Sequence, residues 1–153
     1  MIIILVRHGE RGMMSDALTP KGIQQAKNAA KRMAEPPWSV SSPVIYHSPK
    51  ERCVQTAQEI SEILNGELRL AEQVDECRSD ETSPRFFRRA SDFLVEMKAQ
   101  HEGETIVVVS HSDWLEAAAE DLLQGRPALS WLQGSAHVVE IVKGKAEYRA
   151  RLG

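Results

Sequence analysis

The chain has 153 residues, 42% of them hydrophobic and 27% charged, which suits about one soluble globular domain spanning 1–153. A net charge of -3 offers no footprint for nucleic acid or an anionic membrane, and no stretch is long enough to span a bilayer. Cys53 and Cys77 form no metal-type cluster and the apolar start is too short for a signal-peptide core, so a cytoplasmic protein with free thiols is expected.

Ile2-Ile3-Ile4-Leu5-Val6 is a continuous apolar run rich in β-branched residues, which predicts a strand buried on both faces. It stops at Arg7-His8-Gly9-Glu10. Thr19-Pro20 predicts a helix start, a hydroxyl cap followed by proline at the first helical position. Ile23, Ala26, Ala30 and Met33 fall on one face of that helix, and Pro36-Pro37 ends it. Val44-Ile45-Tyr46 predicts a short strand. Ser48-Pro49-Lys50-Glu51 reads as a capping box opening the next helix, with Cys53, Ala57, Ile60 and Leu64 as its buried stripe and Asn65-Gly66 as its end.

Glu67 to Val74 is predicted as a strand and Asp75 to Thr82 as a polar loop. Ser83-Pro84 caps a third helix, with Phe86, Phe87, Ala90, Phe93, Leu94 and Met97 inward. Thr105 to Val109 is a second buried strand; it ends at Ser110-His111, and a helix follows with Trp114, Leu115, Ala118 and Leu122 inside. Val138 to Val142 and Ala146 to Leu152 read as two edge strands around Lys143-Gly144. This alternation predicts a mostly parallel sheet with helices on both faces and an antiparallel edge.

Two buried strands end in a histidine where the chain turns toward a helix, His8 and His111, and a third such junction carries Arg52 one turn into its helix. In a parallel sheet these junctions share one edge, where ligands bind. Arg7, His8, Arg52 and His111 therefore converge into a cationic site with one nucleophile, which suits a tetrahedral dianion. Arginine matches phosphoryl oxygens with a planar fork. Neutral imidazole can attack phosphorus and form phosphohistidine. Gly9 gives backbone or ligand room beside the pair. The arginines disfavour a metal at His8, Glu10 and His111, and neither a Gly-x-Gly-x-x-Gly nor a Walker loop is present, so no cofactor is expected.

Arg7-His8-Gly9-Glu10 after an N-terminal strand resembles the signature of the histidine phosphatase superfamily, the group with the phosphoglycerate-mutase fold. Ser48-Pro49-Lys50-Glu51-Arg52-Cys53-Val54-Gln55-Thr56-Ala57 resembles its second block, Leu18-Thr19-Pro20-Lys21-Gly22 its first-helix block, and Val109-Ser110-His111 its late strand. The resemblance implies a three-layer α/β/α sandwich and a metal-independent phosphatase. It makes His8 the phosphoacceptor, has Arg7 and Arg52, with Gly9, bind the phosphoryl group, and has His111 stabilise it in transfer. Val74-Asp75-Glu76-Cys77-Arg78 resembles the acid-bearing segment and points to Glu76 as general acid, with Asp75, Glu10 and Asp80 as alternatives. No asparagine stands between Glu10 and Thr19, and Ser112 replaces the glycine that often follows the second histidine. The short loop around Glu76 implies an open site of the phosphohistidine-phosphatase type. A small-metabolite phosphatase and a non-catalytic phosphate-binding adaptor are the other readings.

His47, His101 and His137 read as structural, and Trp131 as packing. Arg78, Arg85, Arg88 and Arg89 read as a solvated face opposite the phenylalanines.

Overall fold

The N-terminal apolar run forms β1 (Ile2–Arg7), with Ile3 to Val6 fully buried. In the computed structural model, which describes residues 1–125 and 129–153, it lies inside a sheet with β2 (Val44–His47), β3 (Glu67–Leu70), β4 (Thr105–Ser110), β5 (Ala136–Val142) and β6 (Lys145–Leu152). The order is β3-β2-β4-β1-β5-β6. β3, β2, β4 and β1 run parallel, while β5 is antiparallel to β1 and β6 to β5. A strand flanked on both sides and covered on both faces has no polar face to keep, so β1 and β4 are apolar without alternation.

Helices α1 (Pro20–Ala34) and α2 (Glu51–Leu64) cover one face, packing on Ile4, Val6, Ile45, Val107 and Val109. Helices α3 (Ser83–Gln100) and α4 (Ser112–Leu123) cover the other, packing on Ile3, Leu5, Ile106 and Val108. The result is the expected α/β/α sandwich. Because β1 feeds α1 on one face and its neighbour β4 feeds α4 on the other, the chain parts at their carboxyl ends and leaves a crevice there.

Several local expectations are corrected. The buried stripe of α1 is Gly22, Ala26, Ala29, Ala30 and Met33, with Ile23 only half-buried. Helix α2 begins at Glu51, and Ser48 does not cap it, because its hydroxyl is engaged by His111 and Asp75. The strand predicted over Glu67 to Val74 stops at Leu70 and gives way to a 3-10 turn over Glu72–Val74. The α3 cap is Thr82, whose hydroxyl accepts from the Arg85 N–H, and Phe87 lies outside the buried stripe, about half exposed. Of the two C-terminal strands only β6 is an edge; β5 pairs on both sides.

Glycine is required where the loop after β1 crosses the start of α1. A Cβ on Gly22 would lie 2.1 Å from the Glu10 carbonyl oxygen, and one on Gly9 would lie 2.4 Å from the Gly22 carbonyl oxygen. Both obstacles are backbone and cannot rotate away. Gly22→Ala is expected to cost about 3 kcal/mol, at the upper end of overpacking penalties, read as a lower urea midpoint at unchanged slope. An unchanged midpoint would mean that α1 can shift on the sheet.

Candidate active site

The end of β1 is pinned on both sides. The His8 N–H donates to Ser110 O at 3.2 Å, the Arg7 N–H to Ser135 O at 2.9 Å, and the Gly134 N–H to His8 O at 3.0 Å. His8 itself is buried, and its Nδ1 bonds the carbonyl oxygen of Gly9 at 2.8 Å. A carbonyl only accepts, so the proton resides on Nδ1 and Nε2 carries the lone pair. The Nε–H of Arg52 donates to that Nε2 at 3.3 Å. The ring of His111 stands 5.5 Å away, centroid to centroid, at 62°.

Arg52 is the hub of the site. It is the second residue of α2 rather than a turn into it. Its Nη1 donates to Asp16 Oδ1 at 2.6 Å, and its Nη2 to Glu76 Oε2 at 3.0 Å and to His111 Nδ1 at 3.3 Å. Asp16 Oδ2 also accepts the Arg52 backbone N–H at 3.2 Å, so a carboxylate from the loop after β1 caps α2. Partial burial opposes ionisation of Asp16, but the bonds and charge of Arg52 outweigh it and hold this carboxyl below its ordinary range.

His111 closes β4 and is held from below. Since Arg52 can only donate to Nδ1, the His111 proton resides on Nε2, which donates to Ser48 Oγ at 2.8 Å. Ser48 Oγ–H passes the chain on to Asp75 Oδ1 at 3.3 Å. The loop from residue 72 to 81 thus carries two adjacent carboxylates with different surroundings: Asp75 is buried beneath His111, and Glu76 lines the crevice.

Burial pushes both histidines down, aided by the Arg52 cation: His8 to about 4 and His111 to about 3, from an ordinary 6.5. His137, also buried, moves the same way. Below pH 6.5 the unfolded chain takes up protons that the folded chain refuses, so stability falls as the pH falls through that window. We expect Tm to drop between pH 6.5 and 4.5, above the range in which most carboxylates titrate, with a shallower slope for His111→Gln. A flat Tm over that interval would contradict the shifts.

The crevice is a cavity of about 370 Å³ lined by Arg7, His8, Arg11, Arg52, Glu76, His111, Ser112, Asp113 and Gln133. Of the residues singled out in the sequence, Arg7, His8, Arg52, Glu76 and His111 meet here. Arg7 donates from Nη1 to the Trp131 carbonyl at 2.7 Å, and its buried Nε has no partner among the described residues. Gly9 does not line the cavity: its open side is filled by the Gly22 backbone, and its N–H donates to Thr56 Oγ1 at 3.0 Å. Glu10 is turned away and accepts from the Thr19 hydroxyl at 2.8 Å. Asp80 is exposed and outside the cavity lining.

His47 donates to Ser48 O, His101 accepts from the Tyr46 hydroxyl, and His137 sits between Ser130 O and the Tyr148 hydroxyl, all outside the cavity. Trp131, read as packing, also supplies the carbonyl that holds Arg7. Arg89, read as surface charge, is instead largely buried against the residues 73–81. Asp16 and the hydroxyl of Ser48 were not singled out for the site. Among the described residues no group of three or more His, Cys, Asp or Glu has metal-ligating geometry.

The profile of the histidine phosphatase superfamily (branch 1) matches residues 3–83 and 78–150. No curated protein matches the chain. Among solved structures, the protein histidine phosphatase SixA complexed with tungstate aligns over 100% of this chain and 97% of its own, with a TM-score of 0.82 and 19% identity. The phosphoserine phosphatase of Entamoeba histolytica with 3-phosphoglyceric acid aligns over 99% and 96%, at 0.78 and 23%. The alpha-ribazole phosphatase of Shigella flexneri aligns over 97% and 95%, at 0.78 and 21%. At these identities the likeness is one of fold.

Proposed function

The chain belongs to the histidine phosphatase superfamily, and on that premise we propose that it hydrolyses a phosphomonoester or phosphoramidate through a phosphohistidine at His8. The observation that carries this reading is the tautomer of His8: with the proton tied to Gly9, an unprotonated Nε2 lies beside the Arg52 guanidinium in the crevice.

In the first step Nε2 forms a bond to phosphorus as the bond from phosphorus to the leaving group breaks. Arg7 and Arg52 hold the equatorial oxygens, and His111 joins them by taking up a proton at Nδ1 under the charge of the bound dianion, its Nε2–H staying on Ser48. Such positioning of charge supplies most of phosphoryl-transfer catalysis. Glu76 gives its proton to the leaving atom. A bound dianion competes with Glu76 for the Nη2 of Arg52, and its charge favours the protonated carboxyl. In the second step water attacks phosphorus, Glu76 takes the water proton, and the bond from Nε2 to phosphorus breaks to release phosphate. The cationic role is filled by arginine, so turnover should resist EDTA.

Phosphohistidine on a partner protein is the substrate we favour, in support of which the crevice is open and the loop carrying Glu76 is short. Likeness in fold to a phosphoserine phosphatase supports a small phosphate ester as the second reading. A single domain over 1–153 belongs to the same proposal. So does a reducing, cytoplasmic location, which the free thiols of Cys53 and Cys77 support. Among the described residues no helix is long and apolar enough to cross a membrane.

The test is to quench the protein during turnover of p-nitrophenyl phosphate, with and without EDTA. An acid-labile, alkali-stable phosphoryl group on His8 is expected in both. Turnover without any phosphoenzyme would rule out the covalent route, and phosphate binding without turnover of either this ester or a phosphohistidine peptide would make the chain an adaptor.

A further inference from the structure

The geometry points to Arg89 as the positioning residue for the general acid, an inference that rests on Glu76 being that acid. Arg89 projects from α3 and spends all five of its N–H donors on the segment that carries Glu76. Nη1 donates to the carbonyl oxygens of Gln73 and Asp75, each at 2.8 Å. Nη2 donates to the Glu76 carbonyl at 3.1 Å and to Glu81 Oε1 at 2.7 Å, and Nε donates to Glu81 Oε2 at 2.8 Å. The guanidinium sits 5.1 Å from the ring of Phe86, which is buried in the core under the same helix. Glu81 is held down to about 2 by its bonds to Arg89. Both members of this pair are therefore charged throughout the working pH range.

No regular secondary structure holds residues 75–82, so their carbonyls have no ladder to join. A loop of this kind samples many conformations unless its polar groups find fixed partners. Arg89 gathers three carbonyls and one carboxylate onto a helix whose apolar stripe is anchored in the core. Two of those carbonyls belong to Asp75 and Glu76, so one guanidinium sets the backbone from which one carboxylate reaches under His111 and the next reaches the crevice. A proton donor must stand within hydrogen-bond reach of the leaving atom, and small displacements of such groups lower rates sharply. Lysine, with three donors and no planar fork, cannot reproduce the pattern.

A group that acts through the acid has a signature that a general packing role lacks. Its loss matters when the leaving group needs a proton and is silent when it does not. Arg89→Ala is expected to lower kcat about tenfold or more for phenyl phosphate, whose leaving group is poor, and to change it within about twofold for 2,4-dinitrophenyl phosphate. Arg89→Lys should fall between wild type and Arg89→Ala. Combined with Glu76→Gln, Arg89→Ala should add no further loss on phenyl phosphate. Should Arg89→Ala fail to fold, Glu81→Gln weakens the same clamp and should show the same selectivity to a smaller degree. Equal slowing of both esters in the variant that folds, or a loss that multiplies with that of Glu76→Gln, would overturn the inference. Equal slowing of both esters by Glu76→Gln alone would instead remove the acid itself, and Arg89's role with it.

Discussion

His8→Ala is expected to lower turnover of p-nitrophenyl phosphate by on the order of 10⁴-fold or more, the scale on which removal of a covalent nucleophile acts. The other imidazole at the crevice, His111, is anchored through its Nε2–H to Ser48 and keeps its lone pair on Nδ1, the ring nitrogen next to the side-chain attachment and the more hindered of the two. Cys53, the thiol nearest His111, is fully buried and pushed up to about 12, chiefly by that burial, which keeps it protonated and unreactive. The variant should still fold, since β1 is pinned by backbone bonds to Ser110, Gly134 and Ser135 rather than by the imidazole. It should also still bind inorganic phosphate, because Arg7 and Arg52 remain. A variant that keeps more than about a tenth of wild-type kcat would mean that His8 is not the phosphoacceptor.

Why His8, His111 and Arg52 were legible in the sequence, and Asp16, Ser48 and Arg89 were not, follows from how each is placed. The two histidines directly follow strands whose buried centres must be apolar, so the first polar residues after each run, Arg7-His8 and Ser110-His111, mark the sheet edge. The crevice follows from topology alone once the parallel sheet is inferred. Asp16 lies in a loop without periodicity, and its partner Arg52 is 36 residues away. Nothing local distinguishes it from a solvated carboxylate. Ser48 was misread because Ser-x-x-Glu has a local meaning as a capping box, and a distant partner, His111, takes the hydroxyl instead. Arg89 adjoins the buried Ala90 on α3 and follows the exposed Phe87 and Arg88, so the charge pattern suggested solvent. Its true partners are mostly main-chain carbonyls, which a side-chain pattern cannot reveal. In each case a tertiary hydrogen bond outweighed a local preference worth about 1 kcal/mol.

Arg52→Gln is expected to reduce kcat/KM by about 10³-fold, comparable to loss of an arginine that neutralises a transferring phosphoryl group. The effect has three separable parts. The first is lost charge on the phosphoryl oxygens, which should also weaken competitive inhibition by inorganic phosphate. The second is electrostatic: after burial, Arg52 is the main cation holding His8 and His111 low, so its removal should raise both values toward 6.5. An NMR titration of the imidazole protons would read this, and the acid limb of the rate profile should move to higher pH with it. The third is positional. Arg52 ties Asp16 to Glu76, so a neutral side chain with a single amide in its place leaves Glu76 without its cationic partner and Asp16 with Arg11 alone. Arg52→Lys separates the parts. It restores a positive charge, and so should return the His8 titration most of the way toward wild type. It cannot present Nε to His8, Nη1 to Asp16 and Nη2 to Glu76 at once, so kcat/KM should stay at least about tenfold low. Full recovery of rate by lysine would reduce Arg52 to a point charge. Unchanged phosphate inhibition in Arg52→Gln would move the anion site elsewhere.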